Sequence, residues 1–160
     1  MAERDLIINE HDIYKLNLGL TKIVDAGQCD LIMVINKSGR LISHQAEANA
    51  FDKVSLAALV SGSFASSGAI AHLIGEKEFE TLYQEGVLYH LYVAQIDANN
   101  VLTSIFTDRS NLRRVKTAIE DHRDEINSVL ENMYSRVVAD PFLNLDVSSY
   151  KKTDKDADKK

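Results

Sequence analysis

The sequence predicts an α+β domain with the order α-β-β-α-β-β-β-α, in which a five-stranded antiparallel-type sheet carries helices on its faces. Three observations carry this reading. Helical apolar periodicity opens and closes the folded part of the chain, and short β-rich runs joined by tight turns lie between. A single long stretch without charge interrupts those runs after the second strand. Connections this short favour antiparallel pairing, and the helices need the sheet's faces to cover their apolar stripes.

Taken in order, Asn9 is placed to cap a first helix, with Glu10 and Asp12 in its first turn. Ile13, Leu16, Leu20, Ile23 and Val24 recur at helical spacing until Gly27, which suits the C′ position. The runs "DLIMVIN" and "RLISHQ" follow, and between them Gly39 can supply the positive φ of a hairpin turn. Asp52 is an N-cap for the second helix, with Phe51 and Leu56 spaced as a hydrophobic staple, and Gly75 marks its end. Three strands are predicted at about 81–85, 87–96 and 101–107, divided by Gly86 and the polar turn "DANN". The last helix starts at Asp108 or Ser110. It carries Leu112, Val115, Ile119, His122, Ile126, Val129, Leu130, Met133 and Val137 on one stripe, and Pro141 stops it. The expected division is a domain over 1–135 and a C-terminal tail over 136–160, partly disordered because its end is a solvated run of Lys and Asp.

Composition narrows the function. With 18 basic against 24 acidic residues the chain carries a net charge of -6, the wrong sign for a face that neutralises nucleic-acid phosphates. The lone cysteine, Cys29, cannot form an internal disulfide, and "MAERDLIINE" lacks a leader's apolar run, so the expected localisation is cytoplasmic.

The stretch "SLAALVSGSFASSGAIAHLIGE" (55–76), which carries no charged side chain until its last residue, is the informative segment. It is long enough for a membrane span, but only Leu56, Leu59, Val60, Phe64, Ile70, Leu73 and Ile74 are large and apolar, so no membrane span is expected. On a helical wheel those seven occupy one half, which is expected to face the sheet. The other half collects Ala57, Ala58, Ser61, Gly62, Ala65, Gly68, Ala69 and His72, with no charged residue. Gly in a helix interior costs about 1 kcal/mol relative to Ala, a cost that close approach of another backbone offsets. The small half therefore reads as a docking surface, with a twice-buried helix in a monomer's core as the alternative. The wheel does not say whether the visitor is a second copy or another protein.

Several chemistries lack their residues. No Lys follows Gly62 and Gly68 at phosphate-loop spacing, and there is no G-x-S-x-G elbow. His11, His44, His72, His90 and His122 form no H-x-H or H-E-x-x-H pattern, so neither a metal nor another cofactor is expected. Cys29 reads as a small buried hydrophobe, and Glu76, Glu78 and Glu80 as a solvated loop.

The segments "VINKSGRLIS", "SLAALVSGSFASSGAIAHLIGEKEFETLYQEG" and "IFTDRSNLRRVKTAI", set in that element order, resemble the Roadblock/dynein light-chain domain family over roughly residues 10–134. The second helix is most similar to the bacterial MglB type, the GTPase-activating partner of a small Ras-like GTPase of the MglA type in cell polarity and motility. The resemblance implies a homodimer with the third strand and second helix at its two-fold and one sheet running through both copies. It implies a GTPase bound at Ala65 and Ala69, with Ala58, Ser61, Gly62, Gly68 and His72 around them. It also implies a cytoplasmic protein that a polarity role would concentrate at a cell pole. Activation in this type works by holding the GTPase's switch regions, so Arg109, Arg113 and Arg114 are assigned no catalytic role. Other branches are scaffolds or exchange regulators, and in some members a C-terminal extension touches the GTPase, as "PFLNLDVSSYKK" would here. A small-molecule sensor is the alternative from a different class, but no convergent polar cluster supports it.

Overall fold

In the computed structural model, residues 8–46 and 51–139 are described. They form α1 (Glu10–Gly27), β1 (Leu31–Asn36), β2 (Leu41–Ala46), α2 (Lys53–Leu73), β3 (Thr81–Glu85), β4 (His90–Gln95), β5 (Asn100–Phe106) and α3 (Leu112–Ala139). All neighbouring strands pair antiparallel, as the sequence predicted, and their order is β2-β1-β5-β4-β3. The chain departs from a simple meander once, when β5 returns to pair with β1 at the centre.

Strand alternation divides the core into two layers. Ile32, Val34, Leu102 and Phe106 face α1 and α3, where Leu16, Leu20, Ile23, Ile119, Ile126 and Leu130 meet them. Leu31, Met33, Ile35, Val93, Val101 and Ile105 face α2, which contributes Ala57, Val60 and Phe64. The α1–α3 seam is close: a Cβ on Gly19 would sit 2.7 Å from Ile126 Cδ1. At its ends the seam is tied by polar groups, with Arg136 bidentate on the buried Asp12 carboxylate at 2.6 and 2.9 Å. Ser110 Oγ donates to Gly27 O at the other end.

Helix ends explain most departures from expectation. The N-caps Asn9 and Asp52 are present, accepting from Asp12 N at 2.8 Å and Ser55 N at 3.1 Å. Gly27 is not the C′ residue: Gln28 takes the left-handed conformation (φ 51°), and Gly27 stays helical in a tight spot, where an added Cβ would come 3.0 Å from Cys29 Sγ. The helix α3 starts later than expected. Asn111 caps it, accepting from Arg114 N at 2.9 Å, which leaves Ser110 for Gly27 O. It continues through Ala139, past the expected domain boundary at 135. The tail from 140 onward lies outside the described residues, as do 1–7 and 47–50.

The strand expected over 87–96 begins only at His90, because Val87, Leu88 and Tyr89 form the β3–β4 connection. A Cβ on Gly86 would meet Tyr89 O at 2.3 Å, so the connection folds back on this glycine and removes those three residues from the ladder. The fifth strand gains Asn100, whose side chain donates to both Asp97 carboxylate oxygens and closes the β4–β5 turn.

The largest correction concerns α2. The half of the wheel holding its large residues does not face the sheet as a unit. Ala57, Val60, Ser61, Phe64, Ser67 and Ala71 are buried, whereas Leu59, Ile70 and Leu73 are 70%, 54% and 87% exposed. The helix lies on the sheet with small residues beneath it, so only Val60 and Phe64 need to fill the space, and the other large residues are displaced outward.

Candidate partner-binding surface

The outward side of α2 is built on rigid elements. Its start is fixed by the Asp52 carboxylate, which also accepts Ser55 Oγ at 2.6 Å, and these bonds hold that carboxyl below the usual carboxylate range. Its middle rests on the β1–β2 turn: Gly39, at φ +94°, would bring a Cβ within 3.4 Å of Ala58 Cα, and buried Ser61 donates to Lys37 O at 2.5 Å. Its end is closed at Gly75, at φ +85°.

Of the seven residues singled out in the sequence, Ala58, Gly62, Ala65, Ala69 and His72 are exposed and Gly68 is half-buried. Ser61 lies beneath the helix and is removed from the surface by its bond to Lys37 O. A Cβ added to Gly62 or Gly68 would meet nothing within 4 Å, so no described residue of this chain requires a glycine at either position. Six of the seven line two depressions, and Ala69 lines neither. Ser61, Ala65, Gly68 and His72 line a pocket of about 200 Å³ with Lys37, Lys77 and Gln95. Ala58 and Gly62 line an open groove of about 890 Å³ between α2 and β3, together with Leu59, Ile70, Leu82 and Tyr83.

The helical wheel missed that groove, although the family resemblance implies a two-fold at the third strand and second helix. Its apolar wall comes from the large residues that the wheel assigned to the core. Beside it β3 is the sheet's edge, with one side of its ladder unpaired. At the end near the start of α2, the β3–β4 connection presents Val87 and Leu88, 95% and 72% exposed, and Tyr89 packs edge-on against Phe51 at 5.3 Å between centroids. A short edge strand followed by an apolar turn, "TLYQEGVLY", was the available signal.

By length and composition α2 could cross a membrane, but its Ala57, Val60 and Phe64 are built into the core under the sheet. The arginines lie elsewhere. Arg109 pairs with Asp30, and Arg114 donates to Ala26 O at 2.7 Å and Gln28 Oε1 at 2.9 Å. Together with Arg113 they belong to the α1–α3 side of the sheet, and none lines either α2 depression.

Fold and sequence together place the chain in a family: residues 16–106 match the Roadblock/LC7 domain, and the chain belongs to that family. Among solved structures it is similar to MglB from Myxococcus xanthus, at 30% identity and a TM-score of 0.73 over 80% of this chain and 96% of that one. The gliding protein MglB of Thermus thermophilus shares the fold at 22% identity and a TM-score of 0.74, with 82% and 99% covered. An MglB with a tetrameric arrangement does so at 20% identity and a TM-score of 0.77, again over 82% and 99%. No curated protein sequence shows significant similarity to the chain.

Proposed function

We propose that this MglB-like Roadblock protein is a dimeric activator of a small Ras-like GTPase of the MglA type, in cytoplasmic control of polarity or motility. One observation carries the reading: the outward side of α2 exposes small and apolar residues without a Lys, Arg, Asp or Glu from Val54 through Leu73. A solvated helix face would carry charge. The resemblance to the MglB type implies the GTPase as the partner class, and the tetrameric arrangement named for one similar structure supports self-association.

The two depressions suit two visitors. The α2–β3 groove lies beside the unpaired β3 edge, so a second copy placed there joins strand to strand and covers Leu59 and Ile70. Ala65, Ala69 and His72 then remain for the GTPase. The activator acts by binding one arrangement of the switch segments better than the other, and it shifts their population only by that difference in affinity. With Arg109 and Arg114 engaged on the α1–α3 side, the reading needs no arginine supplied in trans.

Single-turnover GTP hydrolysis by the cognate GTPase, with and without this protein, tests the proposal. Hydrolysis is expected to accelerate, and Ala65→Arg and Ala69→Arg, which fill the exposed surface with bulk and charge, should abolish the acceleration without changing the protein's mass in light scattering. Complex formation without faster hydrolysis would instead define a scaffold or exchange regulator. Undiminished stimulation by both variants would show that the GTPase docks elsewhere.

A further inference from the structure

The β3–β4 hairpin fixes which backbone groups of β3 are free. Leu82 lies opposite Val93, Tyr83 opposite Tyr92 and Glu85 opposite His90, and Gln95 N donates to Glu80 O at 2.8 Å. Hydrogen-bonded pairs alternate along an antiparallel ladder, so Glu80, Leu82 and Gln84 bond to β4. The N–H and C=O groups of Thr81, Tyr83 and Glu85 therefore point outward, where no described strand meets them.

A second copy joined at this edge by a two-fold axis pairs antiparallel, outward residue against outward residue. The axis then passes at a residue that faces itself in the other copy. With Tyr83 there, the whole of Thr81–Glu85 lies on the shared ladder and Thr81 faces the partner's Glu85. Moving the axis to Leu82 leaves Glu85 off that ladder, and moving it to Gln84 leaves Thr81 off. Centring it on Glu85 sets two carboxylates directly against each other.

Beyond the strand, residues equally far from Tyr83 in sequence still face each other, so Val87 comes opposite the partner's Phe79. Phe79 lines both depressions, beside Ile70 in the groove and His72 in the pocket. The β3–β4 turn thus arrives at the last turn of the partner's α2. Leu73 and Ile74 stand exposed there, as do Val87 and Leu88 on the turn. We propose that two copies join with Tyr83 on the two-fold, and that the Val87–Leu88 turn of each seats on Leu73 and Ile74 of the other. The proposal rests on the self-association reading above and extends it to a register and to a reciprocal contact at both ends of the groove. It also gives Gly62 a use. This glycine lies midway along α2 in the groove that Tyr83 also lines, and an added Cβ there meets nothing in its own chain, so the partner's helix has room to approach near the axis.

Disulfide trapping in the full chain tests the register, with the buried Cys29 left in place. Residues facing each other in a hydrogen-bonded pair have Cα atoms about 5.5 Å apart, within reach of a disulfide. Tyr83→Cys is expected to link to itself on mild oxidation. Thr81→Cys and Glu85→Cys should link to each other when mixed and allowed to exchange subunits, and neither should link to itself. Faster self-linking at Leu82→Cys or Gln84→Cys would overturn the register. For the turn, Leu88→Glu and Leu73→Glu should each weaken self-association about tenfold or more, and Leu88→Glu with Leu73→Lys in one chain should restore it. An unchanged dissociation constant in Leu88→Glu would overturn the turn contact. Light scattering of the unsubstituted protein separates the two kinds of failure. A monomer removes the self-association reading and this proposal with it, whereas a dimer whose Tyr83→Cys variant stays unlinked removes the register alone.

Discussion

Cys29 shows how much one residue's surroundings decide. It sits at the hinge between α1 and β1, packed beside Gly27 and within the α1–α3 core, and burial with help from the Asp30 charge pushes its thiol up to about 12. The thiolate is the reactive form, so native Cys29 should resist alkylation by iodoacetamide at neutral and mildly alkaline pH. In denaturant it should react at the rate of an ordinary thiol. The same shift fixes a sign for stability. Above pH 9.0 the unfolded thiol ionises while the folded one does not, so its contribution to stability is lost progressively from there to about pH 12. Denaturant midpoints measured across that range should fall more steeply in the native sequence than in Cys29→Ala. The sequence already marked this cysteine, alone at the edge of a predicted strand, as a small buried hydrophobe.

At the scale of elements, α2 depends on its first turn. Asp52 accepts from both the backbone and hydroxyl of Ser55, and no acidic residue in that first turn can substitute for it. Asp52→Ala should speed amide exchange at Ser55 and lower the melting temperature, whereas Asp52→Asn should recover most of the loss because an amide oxygen also caps. Those bonds lower the carboxyl's pKa, so the cap's contribution is complete above 3.8 and is lost as pH falls through the lowered folded value. Such caps were legible because they are local: Asn9 and Asp52 need only a neighbouring turn. The number of strands and their antiparallel sense were legible from alternation and turn residues for the same reason. The orientation of α2 was not, because it is set by how closely the helix approaches the sheet, and Ala57, Ser61, Ser67 and Ala71 permit a closer approach than the large residues suggest. A wheel ranks residues by size, whereas the sheet selects the side that fits. The start of α3 was misplaced for a related reason. Ser110 and Asn111 are both capable caps, and only the distant Gly27 carbonyl draws Ser110 away.

For the whole molecule, the two faces of the sheet are finished to different degrees. The α1–α3 side is sealed, with its core closed by Asp12–Arg136 at one end and Ser110–Gly27 at the other, and its rim cross-linked by Lys22–Glu125 at 2.8 Å. The α2 side leaves Leu59, Ile70 and Leu73 outside and the open edge of β3 beside them. Water against that groove gains nothing from its apolar wall, whereas a second copy seated there, as proposed, would gain about 25 cal/mol per Å² of apolar surface removed from solvent. Self-association should therefore be sensitive to charge at the groove and indifferent to charge on the sealed side. Leu59→Glu and Ile70→Glu are expected to halve the mass seen in light scattering without loss of helical circular dichroism, because neither side chain supports the core. Thr117→Glu, exposed on α3, serves as the control and should leave the mass unchanged. A dimer that persists in both groove variants would move the interface away from β3. The exposed leucines and isoleucine of α2 would then have to be explained by a different partner.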